Sequence, residues 1–189
     1  MRAAIPTQPP GPGQRLRALQ AVVFGQLGFT GNGEDYHDPR NSFLAEVLRR
    51  RVGIPISLSV LVLEVARRIG LAAWGINFPG HFLVGVRDDG DPVVIDPFAG
   101  GVVRELDELD SMLRRASGPV AEVDDELLAP TPKAKILQRM LSNLAGIYGQ
   151  RDDYFGSVEV LEHMQLLDPD NRRIADELER LRAQLEDLN

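Results

Sequence analysis

Histidine is the side chain most ready to transfer a proton near neutral pH, and this 189-residue sequence has three: His37, His81 and His163. His163 falls within a predicted helix and His37 within a polar loop, so both are expected at the solvated surface. His81 follows a Pro-Gly break and opens a predicted strand, and the next predicted strand carries Asp96. A carboxylate bonded to one imidazole nitrogen fixes the ring tautomer and leaves the other nitrogen free, which makes His81 and Asp96 the candidate catalytic pair.

The two strands that carry this pair must lie side by side for its side chains to meet. Alternating apolar residues predict strands at 81–87 and 93–98, and the Asp-Asp-Gly-Asp segment at 88–91 is a hairpin turn signal. Antiparallel pairing around that turn brings Asp96 within reach of the His81 ring, with the pair facing the start of the central helix. Two interpretations stay open here: the pair does chemistry, or it only ties two strands together.

The central helix is predicted at 53–70, with the sequence GIPISLSVLVLEVARRIG. Pro55 suits the first helical turn, and Ser57 or Ser59 can cap that turn. The apolar residues that follow cover nearly every side, which indicates a helix buried on most faces. Gly70 marks its end.

The rest of the chain divides into a lead, a first domain and a helical appendage. Residues 1–13 are rich in Pro and Gly, and we expect them to be disordered. The first domain, at 14–128, has an amphipathic helix at 14–27 and a second helix that Asp38 caps. Its other predicted elements are a strand at 73–78, an outer helix at 106–115 and an irregular connection at 117–132.

Residues 131–189 have a purely helical pattern, with Leu, Met and Ile stripes on three helices. The spacing between Leu141 and Pro169 looks like one tetratricopeptide unit, and the third helix would then cap it. One such unit cannot bury its own faces, so we expect it to pack on the first domain or on another protein. A protein partner bound through this appendage is therefore predicted.

Charge and apolar content exclude several classes of partner. The net charge is −7 and is spread along the chain, so no basic face is evident for nucleic acid or an anionic membrane. The three arginines at 49–51 fit the C-terminus of a helix. The N-terminus lacks an apolar core of signal-peptide length, and the longest apolar run is too short to span a bilayer. We expect a cytoplasmic protein, and its oligomeric state stays open.

The sequence contains no cysteine. This excludes disulfides, thiolate metal sites and a cysteine nucleophile. We expect no cofactor and no metal site.

Four separate segments look like the bacterial SirB-type family: DYHDPRNSFLAEVLRRRVGIPISLS, NFPGHFLVGV, VVIDPFAGG and LQRMLSNLAGIY. Members of that family join a transglutaminase-like domain to tetratricopeptide helices. The resemblance implies an α+β fold in which a transglutaminase-like domain, similar to papain-like proteases, packs a central helix on an antiparallel sheet. A helical, tetratricopeptide-like appendage follows that domain.

In that fold a nucleophilic cysteine begins the central helix, a histidine starts one strand and an aspartate lies on the next. By resemblance, His81 and Asp96 match the histidine and the aspartate. The cysteine position falls near Pro55, which has no nucleophile and no N–H for an oxyanion hole. Ser57 and Ser59 are the nearest hydroxyls, but Ser57 lies roughly 200° around the helix from Pro55. We therefore interpret Ser57 first as a cap and only second as a nucleophile.

Several neighbours of these positions are expected to line a pocket around the pair, although a turn or capping role explains the first of them more simply. They are Asn41, Pro55, Ser57, Asn77 and Gly80.

Two functions compete on these grounds. The first is a non-catalytic interaction or regulatory protein with a degenerate transglutaminase-like pocket. The second is a hydrolase or acyltransferase that uses His81, Asp96 and a serine hydroxyl. We favour the first, because cysteine is absent and proline occupies the start of the helix.

Overall fold

The computed structural model of the chain describes residues 13–187. The disordered lead predicted at 1–13 falls almost entirely outside this range. Gly13 is described and is held in place, because its N–H donates to the carbonyl of Asp88 at 3.1 Å.

The described chain is an α+β structure in which strands lie between an N-terminal and a C-terminal set of helices. Two short 3-10 turns, at Pro39–Asn41 and Pro97–Ala99, and a π-helical turn at Ala21–Gln26 interrupt or extend the regular elements. The α-helices and β-strands, in chain order, are α1 (Gln14–Gln20), β1 (Thr30–Gly31), α2 (Leu44–Arg50), β2 (Val52–Gly53), α3 (Pro55–Arg68), β3 (Ala72–Ile76), β4 (Leu83–Arg87), β5 (Val93–Asp96), β6 (Val102–Arg104), α4 (Leu106–Ser117), α5 (Lys133–Gln150), α6 (Tyr154–Leu167) and α7 (Arg172–Asp187).

Helix α3 is the predicted central helix, and its ends lie where the sequence places them. Pro55 occupies its first position, where the missing N–H needs no partner. Ser57 accepts a hydrogen bond from the N–H of Ile54 at 3.1 Å, which satisfies one donor at the helix start. Gly70 follows the helix with a φ of 68°, a left-handed conformation that glycine adopts without steric cost.

The main sheet is antiparallel, with the strand order β3-β4-β5-β6. The hairpin predicted around residues 88–91 is confirmed, with Val84 opposite Ile95. Strand β6 was not predicted. Gly100 and Gly101 form the turn that leads into β6, which then pairs with β5.

Strand β4 is buried because helices cover both faces of the sheet. Side chains alternate along a strand, so Val84 and Val86 face α3 while Leu83 faces α4. The α3 side of this core includes Leu58 and Val62, and the α4 side includes Leu109 and Leu113, all at most 5% exposed. The transglutaminase-like arrangement of a central helix on an antiparallel sheet is therefore present.

Two predicted elements differ from the structure. The helix expected after Asp38 is split into the 3-10 turn at Pro39–Asn41 and helix α2, because Phe43 adopts an extended conformation with a ψ of 114°. His81 was expected to open a strand, but β4 begins only at Leu83. His81 instead ends a tight turn, in which its N–H donates to the carbonyl of Phe78 at 3.0 Å.

Helices α5, α6 and α7 form a second packed unit that rests on the first domain through α5. Ile136 of α5 lies in one cluster with Ile54, Ile56 and Phe82. The N–H of Thr131, just before α5, donates to the carbonyl of Gly75 on β3 at 2.8 Å. The predicted docking of the appendage on the first domain is thus confirmed. Between residues 13 and 187, no helix has the length and apolar character needed to cross a membrane.

Candidate functional site

Asp96 is the most highly connected side chain of the candidate site. It ends β5 and is 2% exposed. Its Oδ1 accepts hydrogen bonds from the N–H groups of Phe98 and Ala99, at 3.1 and 3.3 Å. The Asp-Pro-Phe sequence produces this arrangement, because Pro97 starts a 3-10 turn whose free N–H groups the preceding aspartate caps.

Arg104 of β6 supplies the counter-charge to Asp96. Its Nη2 lies 2.9 Å from Asp96 Oδ2, and its Nη1 lies 3.2 Å from Glu108 Oε1 on α4. Burial by itself would raise the pKa of Asp96, but hydrogen bonds and charge from His81 and Arg104 outweigh it and hold that pKa below its usual value. Asp96 is therefore a carboxylate at neutral pH.

His81 binds the other oxygen of the carboxylate. Its Nε2 lies 2.9 Å from Asp96 Oδ1, which confirms the predicted contact. Because a carboxylate oxygen only accepts, this geometry assigns the proton to Nε2. The ring also meets Phe98 edge-on, with the centroids 6.0 Å apart. No residue from 13 to 187 forms a hydrogen bond with Nδ1, so that nitrogen is available to a ligand.

A cavity of about 540 Å³ opens beside the pair, and helix α4 forms its other wall. A smaller cavity of about 280 Å³ adjoins it and shares His81, Met112 and Arg115. The larger cavity is lined by His81, Asp96, Phe98, Ala99, Arg104, Asp107, Glu108, Ser111, Met112 and Arg115. The pair was expected to face the start of α3, but this open space lies toward α4.

The start of α3 contains no hydroxyl that reaches the pair. Ser57 is fully buried, and its Oγ lies 2.7 Å from the carbonyl oxygen of Asn41. Ser59 is also fully buried and donates to the carbonyl of Phe82 at 3.3 Å. Neither hydroxyl forms a hydrogen bond with His81, which fits the interpretation of Ser57 as a cap. Pro55 is buried beside them and does not line the cavity at His81.

The other predicted pocket residues lie in three different places. Gly80 borders the smaller cavity beside His81. Asn41 is fully buried away from it, where its Nδ2 donates to the carbonyl of Asp35 at 2.7 Å and holds the loop before the 3-10 turn. Asn77 accepts a hydrogen bond from Arg139 of α5. Asn41 and Ser57 thus form a buried group of their own, separate from His81.

Sequence reasoning missed Arg104 and Arg139. Arg104 was missed together with β6, and the Gly100-Gly101 turn was the signal that would have placed it opposite the Asp96 strand. Arg139 lies in the middle of a helix, and nothing in its local sequence distinguishes it from other surface arginines. Among residues 13–187 we find no group of three His, Asp or Glu side chains placed to hold a metal ion.

Comparison with known proteins agrees with this fold. A family model described as the transglutaminase-like superfamily matches residues 1–142. The chain belongs to the transglutaminase-like superfamily. No solved structure gives a significant match.

Similarity to curated proteins identifies a smaller group within this superfamily. A UPF0162 protein of Xylella fastidiosa is 43% identical over 141 residues, which cover 73% of this chain and 50% of the relative. Protein SirB1 of Salmonella typhimurium is 30% identical over 134 residues, or 69% of this chain and 49% of the relative. The likeness to the SirB-type family is confirmed.

A eukaryotic protein is also similar over much of this chain. Human F-box only protein 21 is 34% identical over 156 residues, which cover 78% of this chain and 24% of the relative. The chain spans about half the length of the bacterial relatives that it matches, and about a quarter of this one.

Proposed function

We propose that this chain is a non-catalytic interaction or regulatory protein built on a transglutaminase-like domain. One observation carries the proposal. The nucleophile of this fold is expected at the start of α3, and there the chain has Pro55, which lies among buried side chains. The two nearby hydroxyls, those of Ser57 and Ser59, are hydrogen-bonded to backbone carbonyls. With no cysteine anywhere in the sequence, no side chain at that position can attack a substrate.

The proposed partner is another protein, bound through the tetratricopeptide-like helices α5–α7. Support comes from Phe155 and Leu166 of α6, which are 71% and 79% exposed. They are eleven residues apart, or about three helical turns, so they lie on one face of the helix. A cytoplasmic location is part of the same proposal and rests on the sequence.

A hydrolase or acyltransferase is the second candidate, and the His81–Asp96 pair favours it. Nδ1 of His81 has no partner within residues 13–187, and the ring borders open space. A base of this kind still needs a nucleophile, which here would have to be a water molecule or a hydroxyl brought by the substrate.

A generic ester or amide probe separates the two candidates. We expect the full chain to hydrolyse an activated ester no faster than His81→Ala does, because the imidazole lacks a nucleophile to activate. His163→Ala is the matched control, since that ring is exposed and bonds only the Glu159 carbonyl of its own helix. Turnover that is lost in His81→Ala and kept in His163→Ala would establish the enzyme instead.

The partner surface has its own test. Affinity capture from native lysate with the wild-type chain, followed by the Phe155→Ser/Leu166→Ser double variant, should show a bound protein that the variant loses. Equal recovery by both would place the interaction elsewhere. The matched control is Val120→Ser, which changes a 92% exposed apolar residue outside the appendage.

A further inference from the structure

Arg139 is a partly buried arginine that joins α5 to the turn before His81. Its Nη1 donates to Asn77 Oδ1 and, at 2.9 Å, to the carbonyl of Phe78. Its Cζ lies 5.6 Å from the centroid of the Phe82 ring. The guanidinium is thereby held in one place by two oxygen acceptors and one aromatic face.

None of these contacts neutralises the charge. Among residues 13–187 no carboxylate lies within ion-pair distance of Arg139, whereas Arg104 meets both Asp96 and Glu108. Burial lowers the pKa of Arg139, the direction expected for a cation removed from water. A partly buried charge without a counter-charge is unfavourable, and a carboxylate placed beside it would offset that cost.

One edge of the guanidinium is left without an acceptor among the described residues. An arginine has five N–H donors, and the two on Nη1 are used by Asn77 and Phe78. No residue from 13 to 187 accepts a hydrogen bond from Nε or Nη2. Those two nitrogens form the parallel pair of donors that fits the two oxygens of a carboxylate.

We propose that the Nε–Nη2 edge of Arg139 binds an Asp or Glu side chain of a partner protein. The inference rests on the proposed function in one respect, that the carboxylate belongs to a protein. Its neighbour Tyr36 is 39% exposed, and the positive charge of Arg139 opposes the increase in pKa that burial imposes on Tyr36.

The site suits a carboxylate better than a phosphate. One guanidinium balances the single charge of a carboxylate, while protein sites for phosphorylated ligands generally gather several arginines. The site is also preorganised, because Arg139 is anchored before any ligand arrives, and little side-chain entropy is lost on binding.

The bound carboxylate would lie close to the His81 turn. The carbonyl of Phe78 accepts both from Arg139 at 2.9 Å and from the N–H of His81 at 3.0 Å. A carboxylate on the Nε–Nη2 edge leaves both of these hydrogen bonds in place, so the anchor of the guanidinium is kept on binding.

An NMR titration of the full chain, labelled with ¹⁵N, tests the proposal directly. The probe is N-acetylglutamate N-methylamide, and its neutral control is N-acetylglutamine N-methylamide, both at constant ionic strength. We expect the Nε–H resonance of Arg139, identified by its absence in Arg139→Lys, to shift saturably with the glutamate compound only. In Arg139→Lys the Kd of that compound, followed through backbone amides, should increase about tenfold, because the forked pair of donors is lost.

Arg151 provides the matched control, since it follows α5, is exposed and donates only to the His37 carbonyl. An equal shift with the glutamine compound, an equal effect at Arg151 Nε–H, or tighter binding of inorganic phosphate would each overturn the carboxylate site. Those outcomes leave the ester-probe result untouched. Ester turnover, in turn, would refute the non-catalytic proposal without affecting the titration.

Discussion

Two regions that a transglutaminase-like enzyme would bring together differ sharply in this chain. The His81 site, made of His81, Asp96 and Arg104, is a network of charged and hydrogen-bonded side chains. The start of α3, made of residues 54–57, is packed with apolar groups, and its one hydroxyl serves the backbone. The His–Asp pair expected of a transglutaminase-like site is present, whereas packed apolar side chains occupy the place of its nucleophile.

This comparison shows that the presence of a His–Asp pair is weak evidence for catalysis. Asp96 also caps the turn at Pro97–Ala99 and pairs with Arg104, so the fold needs this carboxylate whether or not His81 does chemistry. At the start of α3, by contrast, a nucleophilic side chain would have no structural role comparable to that of Asp96. The proposal of a non-catalytic protein therefore rests on the start of α3 and not on the His81 site.

The largest effect is expected when the carboxylate of the His81 site is removed. Asp96→Ala leaves His81 and two backbone N–H groups without their acceptor and leaves Arg104 with Glu108 alone, and it should lower the free energy of unfolding by about 3–5 kcal/mol. Urea denaturation of the full chain measures it. Asp107→Ala, an exposed carboxylate on the wall of the same cavity, is the control and should change stability by less than about 0.5 kcal/mol. Similar losses in both variants would show that the Asp96 network gives the His81 site no particular share of the stability.

The start of α3 should respond to a change in the helix packed against it. Ile136 is 8% exposed and lies in the cluster with Ile54 and Ile56, so Ile136→Ala should lower the free energy of unfolding by about 2–5 kcal/mol. Leu137→Ala, at the neighbouring and 49% exposed position, should cost less than about 0.5 kcal/mol. If the two variants unfold at the same urea concentration, α5 does not support this region.

Ser57→Ala sharpens the distinction between a structural and a chemical hydroxyl. It leaves the buried N–H of Ile54 and the carbonyl of Asn41 without a partner, which should lower stability by about 1–3 kcal/mol. Ser142→Ala, where an exposed hydroxyl bonds the Gln138 carbonyl of its own helix, is the control with little effect. A Ser57→Ala variant of wild-type stability would argue that the hydroxyl is kept for another purpose.

The smallest effect concerns the acid dependence of stability. Although burial opposes it, contacts with His81 and Arg104 lower the pKa of Asp96 below its usual 3.8. The ionised carboxylate therefore stabilises the fold above the unfolded pKa, and that stabilisation is lost as the pH falls through the folded pKa. Below about pH 4, wild type should lose up to about 1.4 kcal/mol more per pH unit than Asp96→Asn. Parallel stability curves for the two proteins would contradict this coupling.

Local sequence determined the parts of this protein whose partners are close in the chain. Pro55, Ser57 and Gly70 define the ends of α3 through helix-end chemistry, which needs no distant residue. The Asp-rich hairpin brings Asp96 to His81 across only fifteen residues, so turn geometry predicted that contact. The absence of cysteine needed no structure at all.

The tertiary structure determined on which side the His81–Asp96 pair borders a cavity and which side chains surround it. Helix α4 forms one wall of the cavity because the short strand β6, unseen in the sequence, carries the chain back across the sheet. Arg139 meets the carbonyl of Phe78 across 61 residues of sequence. Such contacts depend on how whole elements pack, and packing depends on shape and burial summed over many residues rather than on any local pattern.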